Sequence, residues 1–303
     1  MQRSHGDDQG VAPGARRTRR ALGGVLAGLL LVSCSIPPDS GSPAASHSPS
    51  GPATSTVPPT SPAASARPAE VHVYFLADTR SGPRLVREVR EAADDPLQGA
   101  VKAMIEGPID PDYRSLWNSG TDVLSVTEES GVVTVNLSAA AAEASVDPMM
   151  AELLVQQLVY TATTDDRGGS VRLLIDGEPA GHLWGAVSWD HAVAREGASQ
   201  VLAPVLIDHP QQGARLTTDS LSFTGQYLAG FSLAWRVILA GTDETAATGT
   251  VEATLGDGLR PFSIAAQVGP GRYLLEVRAQ GAGQPSEAAW IIETKEFRVH
   301  LAA

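Results

Sequence analysis

Of the residues in this chain that could form or break bonds, few are spaced to do so together, and their spacing says more than their number. Cys34 is the single cysteine in 303 residues, so it has no disulfide partner and no second thiolate with which to hold zinc. Asp110 with Asp112, and Asp165 with Asp166, are spaced to bring carboxylates together for acid–base work or weak calcium binding. Each pair borders an expected loop, where solvated acids are the simpler reading. His47, His72, His182, His191, His209 and His300 are scattered without ligand spacing. The run Trp184-Gly185-Ala186-Val187-Ser188-Trp189 offers two indoles, either as a stacking platform for a wall sugar or as packing between two domains. Trp117 reads as core. Asn136-Leu137-Ser138 fits a glycosylation sequon, but it lies in an expected strand and is discounted. There is no Gly-x-Ser-x-Gly elbow, His-Glu-x-x-His, phosphate loop or Gly-x-Gly-x-x-Gly. No catalytic, cofactor-binding or metal-binding residue is therefore assigned, and no cofactor is expected.

The thiol of Cys34 gains meaning from what precedes it. Arg16, Arg17, Arg19 and Arg20 form a basic leader, followed by an apolar run from Ala21 to Val32, of signal-peptide length and too short to span a bilayer comfortably. Leu31-Val32-Ser33-Cys34 resembles the lipobox of bacterial lipoproteins. The resemblance implies lipid transfer to Cys34, cleavage just before it, and residues 1–33 as a lipoprotein signal peptide. Two or more acyl chains give stable anchoring, so the expected location is the extracytoplasmic face of the cell membrane. The arginine pairs raise a twin-arginine export route, but no strong hydrophobic motif follows them directly.

Charge and composition narrow the partners. Removing residues 1–33 takes away five arginines and two aspartates, leaving 17 basic against 32 acidic residues, a charge near −15. Nucleic acid binding needs a basic surface and is not expected; the membrane is reached through lipid and not through charge. Arginine outnumbers lysine 20 to 2, which suggests a GC-rich genome such as an actinomycete's. Residues 34–69 are rich in Ser, Pro, Thr and Ala, with nine prolines and no apolar periodicity. Such a segment buries no core and is expected to be a disordered, semi-rigid spacer that carries folded domains away from the membrane.

A first domain is expected over residues 70–187. Val71 to Leu76 and Leu85 to Val89 are β-rich. Asp95-Pro96 opens a helix carrying Leu97, Val101, Met104 and Ile105 at helical spacing, and Gly107-Pro108 stops it. Thr121 to Thr127 and Val132 to Leu137 read as a hairpin around Gly131. Asp147-Pro148 opens a second helix with Met150, Leu153, Leu154 and Leu158 as its apolar stripe, and Val171 to Ile175 is a strand ended by Asp176-Gly177. The order is ββαββαβ. Val73-Tyr74-Phe75-Leu76, Leu85-Val86, Ala100 to Pro108, Gly120-Thr121 to Val126, Val133 to Ser138, Gln157 to Thr161 and Val171 to Gly177 together resemble the GerMN domain of sporulation and spore-germination proteins. That resemblance implies a non-catalytic α+β module that packs against other copies or other proteins.

After a connector at 188–203, residues 204–303 read as all-β. Alternation is visible at Leu221 and Phe223; at Leu233, Trp235, Val237 and Leu239; at Val251, Ala253 and Leu255; at Phe262, Ile264, Ala266 and Val268; at Tyr273, Leu275 and Val277; and at Phe297, Val299 and Leu301. About seven strands with turns between them predict a β-sandwich, with Trp235 filling the space between sheets that a disulfide would occupy. Ile207-Asp208-His209-Pro210, Leu221 to Gly225, Gly256 to Phe262 and Gly271 to Val277 resemble the immunoglobulin-like domain of bacterial spore germination. The fold class expected is α+β followed by this sandwich. The expected role is a lipid-anchored envelope scaffold or interaction protein, meeting envelope proteins or other copies of itself and linked to sporulation- or germination-like processes. The alternatives are a solute- or glycan-binding lipoprotein and a cell-wall hydrolase.

Overall fold

The computed structural model describes residues 68–92, 95–144, 146–163, 169–217, 220–281 and 291–300; the expected signal peptide, Cys34, nearly all of the expected spacer, Asp165 and Asp166 lie outside them. A long hairpin begins the fold, β1 (Ala69–Thr79) pairing antiparallel with β2 (Gly82–Ala92) from Ala69↔Ala92 to Thr79↔Gly82. It is longer than the two apolar runs because pairing continues through charged residues of β2. Next, α1 (Pro96–Glu106) starts on a cap in which Asp95 accepts hydrogen bonds from the N–H groups of Leu97 and Gln98, each at 3.1 Å. The short β3 (Tyr113–Arg114) extends the sheet beside Leu76 and Ala77 of β1.

The expected second hairpin is β4 (Val123–Glu129) with β5 (Val132–Leu137). Ser130 and Gly131, at φ 51° and 78°, form its two-residue turn, the geometry whose twist matches that of the flanking strands. A 3₁₀ turn at Ala139–Glu143 leads to α2 (Pro148–Ala162), where Asp147 accepts from the Met150 N–H at 3.0 Å. The chain then returns as β6 (Ser170–Ile175), parallel to β5, so α2 is the crossover of a βαβ unit. β7 (Glu178–Pro179) folds back on β6, β8 (Gly181–Leu183) and β9 (Val187–Trp189) form a small ribbon, β10 (Val193–Ala194) pairs with β6, and α3 (Ala198–Val201) ends the lobe.

α2 is buried on more than a stripe: every residue from Leu153 to Ala162 is inside. The reason is that it packs against β1 and β2 on one side and β6 and β9 on another. Two of its polar residues serve the sheet. Gln157 Nε2 donates to the Tyr74 carbonyl at 2.9 Å, and the Tyr74 N–H donates to Thr161 Oγ1 at 3.1 Å. Since β3 reaches only Leu76 and Ala77, helix side chains complete the β1 edge at Tyr74 in place of a strand.

The second lobe comprises β11 (Val205–His209), β12 (Ala214–Leu216), β13 (Ser220–Leu228), β14 (Phe231–Leu239), β15 (Thr245–Val251), β16 (Leu259–Gln267), β17 (Gly271–Gly281) and β18 (Ile291–Val299). They form two sheets, β11-β13-β16 and β12-β18-β17-β14-β15, in which β12 runs parallel to β18. A first strand in one sheet, a short continuation in the other, and a closed apolar interior make this an immunoglobulin-like sandwich. Trp235 meets Phe223 of the opposite sheet with ring centroids 6.1 Å apart, as its expected inter-sheet role requires. One strand differs from expectation. It ends at Val251, and Leu255 is 95% exposed, because Gly256 and Gly258 turn the chain at φ 106° and 81°. The strand itself lies earlier, in Thr, Ala and Gly residues too small to write an apolar pattern.

Two apolar cores result, one running in sequence from Val73 to Leu206 and the other from Val205 to Val299. The expected connector is not a passive link: Trp189, Val201, Leu202 and Ala203 belong to the first core. Among the described residues no helix is long and apolar enough to cross a membrane.

Candidate functional site

Charged side chains buried where the lobes meet are the chemically unusual feature of the molecule. β18 presents alternate residues inward, and Phe297 and Val299 pack in the sandwich core. The same alternation turns Lys295 and Glu293 inward, but they lie against the first lobe. Lys295 Nζ donates to Asp110 Oδ2 at 2.6 Å and to Glu293 Oε1 at 2.9 Å. It also donates to the Tyr113 hydroxyl, which itself donates to Glu293. The side chains of Lys295 and Asp110 are 0% and 1% exposed.

The first lobe holds its half of this cluster in place locally. Glu88, on β2, accepts from the N–H groups of Ile109 at 2.9 Å and Asp110 at 2.8 Å, and pairs with Arg90 at 2.6 Å. Arg90 in turn donates to the Gly107 carbonyl at 2.9 Å. Asp110 Oδ1 accepts from the Asp112 N–H at 3.1 Å, a side-chain turn that aims the other oxygen at Lys295. Thr294 Oγ1 donates to Asp112 Oδ2 at 3.3 Å beside it.

A second ion pair lies along the same junction. Arg87, 1% exposed, makes a two-pronged contact with Asp208 of β11, both bonds at 2.7 Å, and its other nitrogen donates to the Tyr74 hydroxyl at 3.4 Å. His72 Nε2 lies 3.9 Å from the same carboxylate. A further contact continues the join: the Val89 N–H donates to Gln211 Oε1 at 3.2 Å.

Electrostatics follow from this burial. Burial alone would lower the Lys295 ammonium, but Glu293 and Asp110 outweigh it and hold its pKa above the ordinary lysine value. Burial raises the Glu293 carboxyl, with Lys295 and Tyr113 opposing. Burial and the Glu293 charge push the Tyr113 hydroxyl well above its usual value. For Arg87, burial is overcome by Asp208 and Tyr74, and the guanidinium is held more firmly charged than usual. An amine, a phenol and two carboxylates are a set capable of proton transfer, but this set is sealed from solvent and satisfied by its own members. Its chemistry is that of a latch.

The sequence readings fall differently around it. Asp110, read as a solvated loop acid, is 2% exposed, because Lys295 of the other lobe neutralises it; Asp112 remains exposed. Trp184 and Trp189 pack within the first lobe and not at the junction. Trp189 is 2% exposed with Nε1 donating to the Val171 carbonyl at 3.1 Å. Trp184 donates to the Ala141 carbonyl at 3.1 Å and meets Trp117 edge-on at 5.3 Å. Both indoles belong with the first lobe's own core. Among the described residues no group of three His, Cys, Asp or Glu side chains is placed to hold a metal ion. Arg87, Tyr113, Glu293 and Lys295 were not singled out by the sequence, and Asp208 entered only as part of the Ile207–Pro210 stretch. The available signal was in β18, where extending the Phe297 and Val299 alternation backwards places Lys295 and Glu293 on the buried face.

Residues 72–181 match the family model Germane, described as sporulation and spore germination. Among solved structures, the tandem GerMN domains of the sporulation protein GerM from Bacillus subtilis are 16% identical, with 48% of this chain and 51% of that chain covered and a TM-score of 0.38. The first GerMN domain of the same protein is 15% identical, with 40% and 97% covered and a TM-score of 0.31. This chain thus spans about half the length of the tandem-domain structure. No curated protein matches the chain.

Proposed function

Because residues 72–181 carry a Germane module of the sporulation and spore germination kind, we propose that this protein is a lipid-anchored, extracytoplasmic scaffold of the bacterial envelope. In this reading Cys34 bears the lipid, the Pro-rich segment is the stalk, and the two lobes present surfaces to envelope proteins or to another copy of the chain, without catalytic turnover. The observation that carries it is the closed ion cluster of Lys295, Glu293, Asp110 and Tyr113, which joins the Germane lobe to the sandwich. Satisfied charges sealed from solvent suit a rigid docking body better than a site that must admit substrate. A weld of this kind favours a defined orientation over raw stability, since a buried ion pair gains little over an apolar replacement.

The test is made in cells. Mass spectrometry of the mature N-terminus is expected to find a lipid-modified Cys34, and Cys34→Ser to release the protein from the membrane. Crosslinking the lipidated form in intact cells is expected to recover a reproducible partner or a second copy. An unmodified N-terminus elsewhere, or turnover by the purified protein on wall material, would overturn the reading.

A further inference from the structure

The outer face of the five-stranded sheet carries an arrangement that sheet physics does not favour. Arg215 of β12 is directly opposite Arg298 of β18, and Arg298 is directly opposite Arg272 of β17. Residues directly opposite in neighbouring strands project to the same face, so three guanidinium groups stand side by side. Like charges placed so are destabilising. All three are exposed, and among the described residues no acid lies within ion-pair distance of any of them. The contrast with Arg236 and Arg278 on the same face is direct, since those two pair with Glu276 at 2.7 Å and 2.5 Å.

The row is also concave and held in place. The three arginines line a hollow of about 160 Å³ with Gly213, Ala240 and Glu296. β12 is fixed to the sheet by the Gly213 N–H donating to the Glu296 carbonyl at 2.7 Å, the Glu296 N–H donating to Gln212 Oε1 at 2.8 Å, and the His300 N–H donating to the Leu216 carbonyl at 2.8 Å. Among the described residues Glu296 is the one acid lining the hollow, so there three positive charges face one negative. That local excess of cation stands on a chain whose net charge is −12.

We propose that the row Arg215–Arg298–Arg272 is a binding site for phosphate groups, either phosphodiesters of an anionic polymer or lipid headgroups. Guanidinium forks match tetrahedral oxyanions in a two-pronged manner, and a hollow lined by one sign of charge concentrates the counter-ion. A bound phosphate would relieve the repulsion among the three arginines, which accounts for their placement together.

The experiment uses the full chain carrying Cys34→Ser, so that a lipid anchor does not contribute. Soluble inorganic polyphosphate, phosphatidylglycerol vesicles and phosphatidylcholine vesicles are the probes. The site predicts salt-sensitive binding of polyphosphate that Arg298→Gln weakens about tenfold or more and that Arg260→Gln, on the other sheet, leaves unchanged. Because Arg298→Gln removes like-charge repulsion, its melting temperature should not fall, which separates loss of binding from loss of fold. If phosphatidylglycerol vesicles also bind while phosphatidylcholine vesicles do not, a headgroup is an accessible source; if only polyphosphate binds, the source is a soluble or wall-borne phosphate. Absence of binding to both phosphate probes, or binding that Arg298→Gln leaves intact, overturns the proposal.

Discussion

Lys295 carries a charge to a place where its partners among the described residues are Asp110, Glu293 and Tyr113. Removing it leaves two buried carboxylates uncompensated. Lys295→Met is therefore expected to cost about 3–5 kcal/mol in urea unfolding. Glu293→Gln should cost distinctly less, because burial already disfavours the Glu293 charge and Asp110 still neutralises Lys295. Equal losses would show that the cluster is not organised around the amine. The same groups set a pH response. Lys295 is raised above 10.5 and Tyr113 above 10.0. For both, the stabilising contribution is fully present below the unfolded value and is lost as pH rises through the folded one. Stability should thus fall at alkaline pH from about pH 10 upward, and Tyr113→Phe with Lys295→Met should flatten that part of the profile in a series of urea titrations.

At the scale of elements, α2 acts as a substitute strand. Thr161→Val keeps shape but leaves the Tyr74 N–H without its 3.1 Å acceptor, and a loss of about 1–3 kcal/mol is expected. Thr127→Val, at an exposed position on β4, should change stability by about 0.5 kcal/mol or less; equilibrium unfolding of the two side by side checks the assignment. Elements were legible where their cause is local. Asp95-Pro96 and Asp147-Pro148 each place a cap and a compatible first residue within a few positions, and both helices begin there. The Gly131 hairpin and the Asp176-Gly177 turn were legible for the same reason, since φ of 78° and 88° favours glycine. β15 was misplaced because small residues leave no periodic signal, and β3 went unread because two residues are too few to show one. The candidate site was legible only in its halves: Tyr113 and Glu293 are 180 positions apart, and no local pattern states that they touch.

For the whole molecule, the arrangement predicts mechanical and thermodynamic coupling of the lobes. The first core includes Leu206, Leu259 packs against it from the sandwich side, and two ion clusters seal the junction. A body of this kind would hold surfaces of the two lobes at fixed relative positions, as the proposed scaffold role requires. Differential scanning calorimetry of the full chain at neutral pH tests that coupling most directly, comparing the natural sequence with the double variant Arg87→Ala/Lys295→Met. One cooperative transition in the former, resolving into two in the latter, is the predicted result; two transitions in the natural sequence, or a double variant that still melts as one, would contradict a junction held by buried charge.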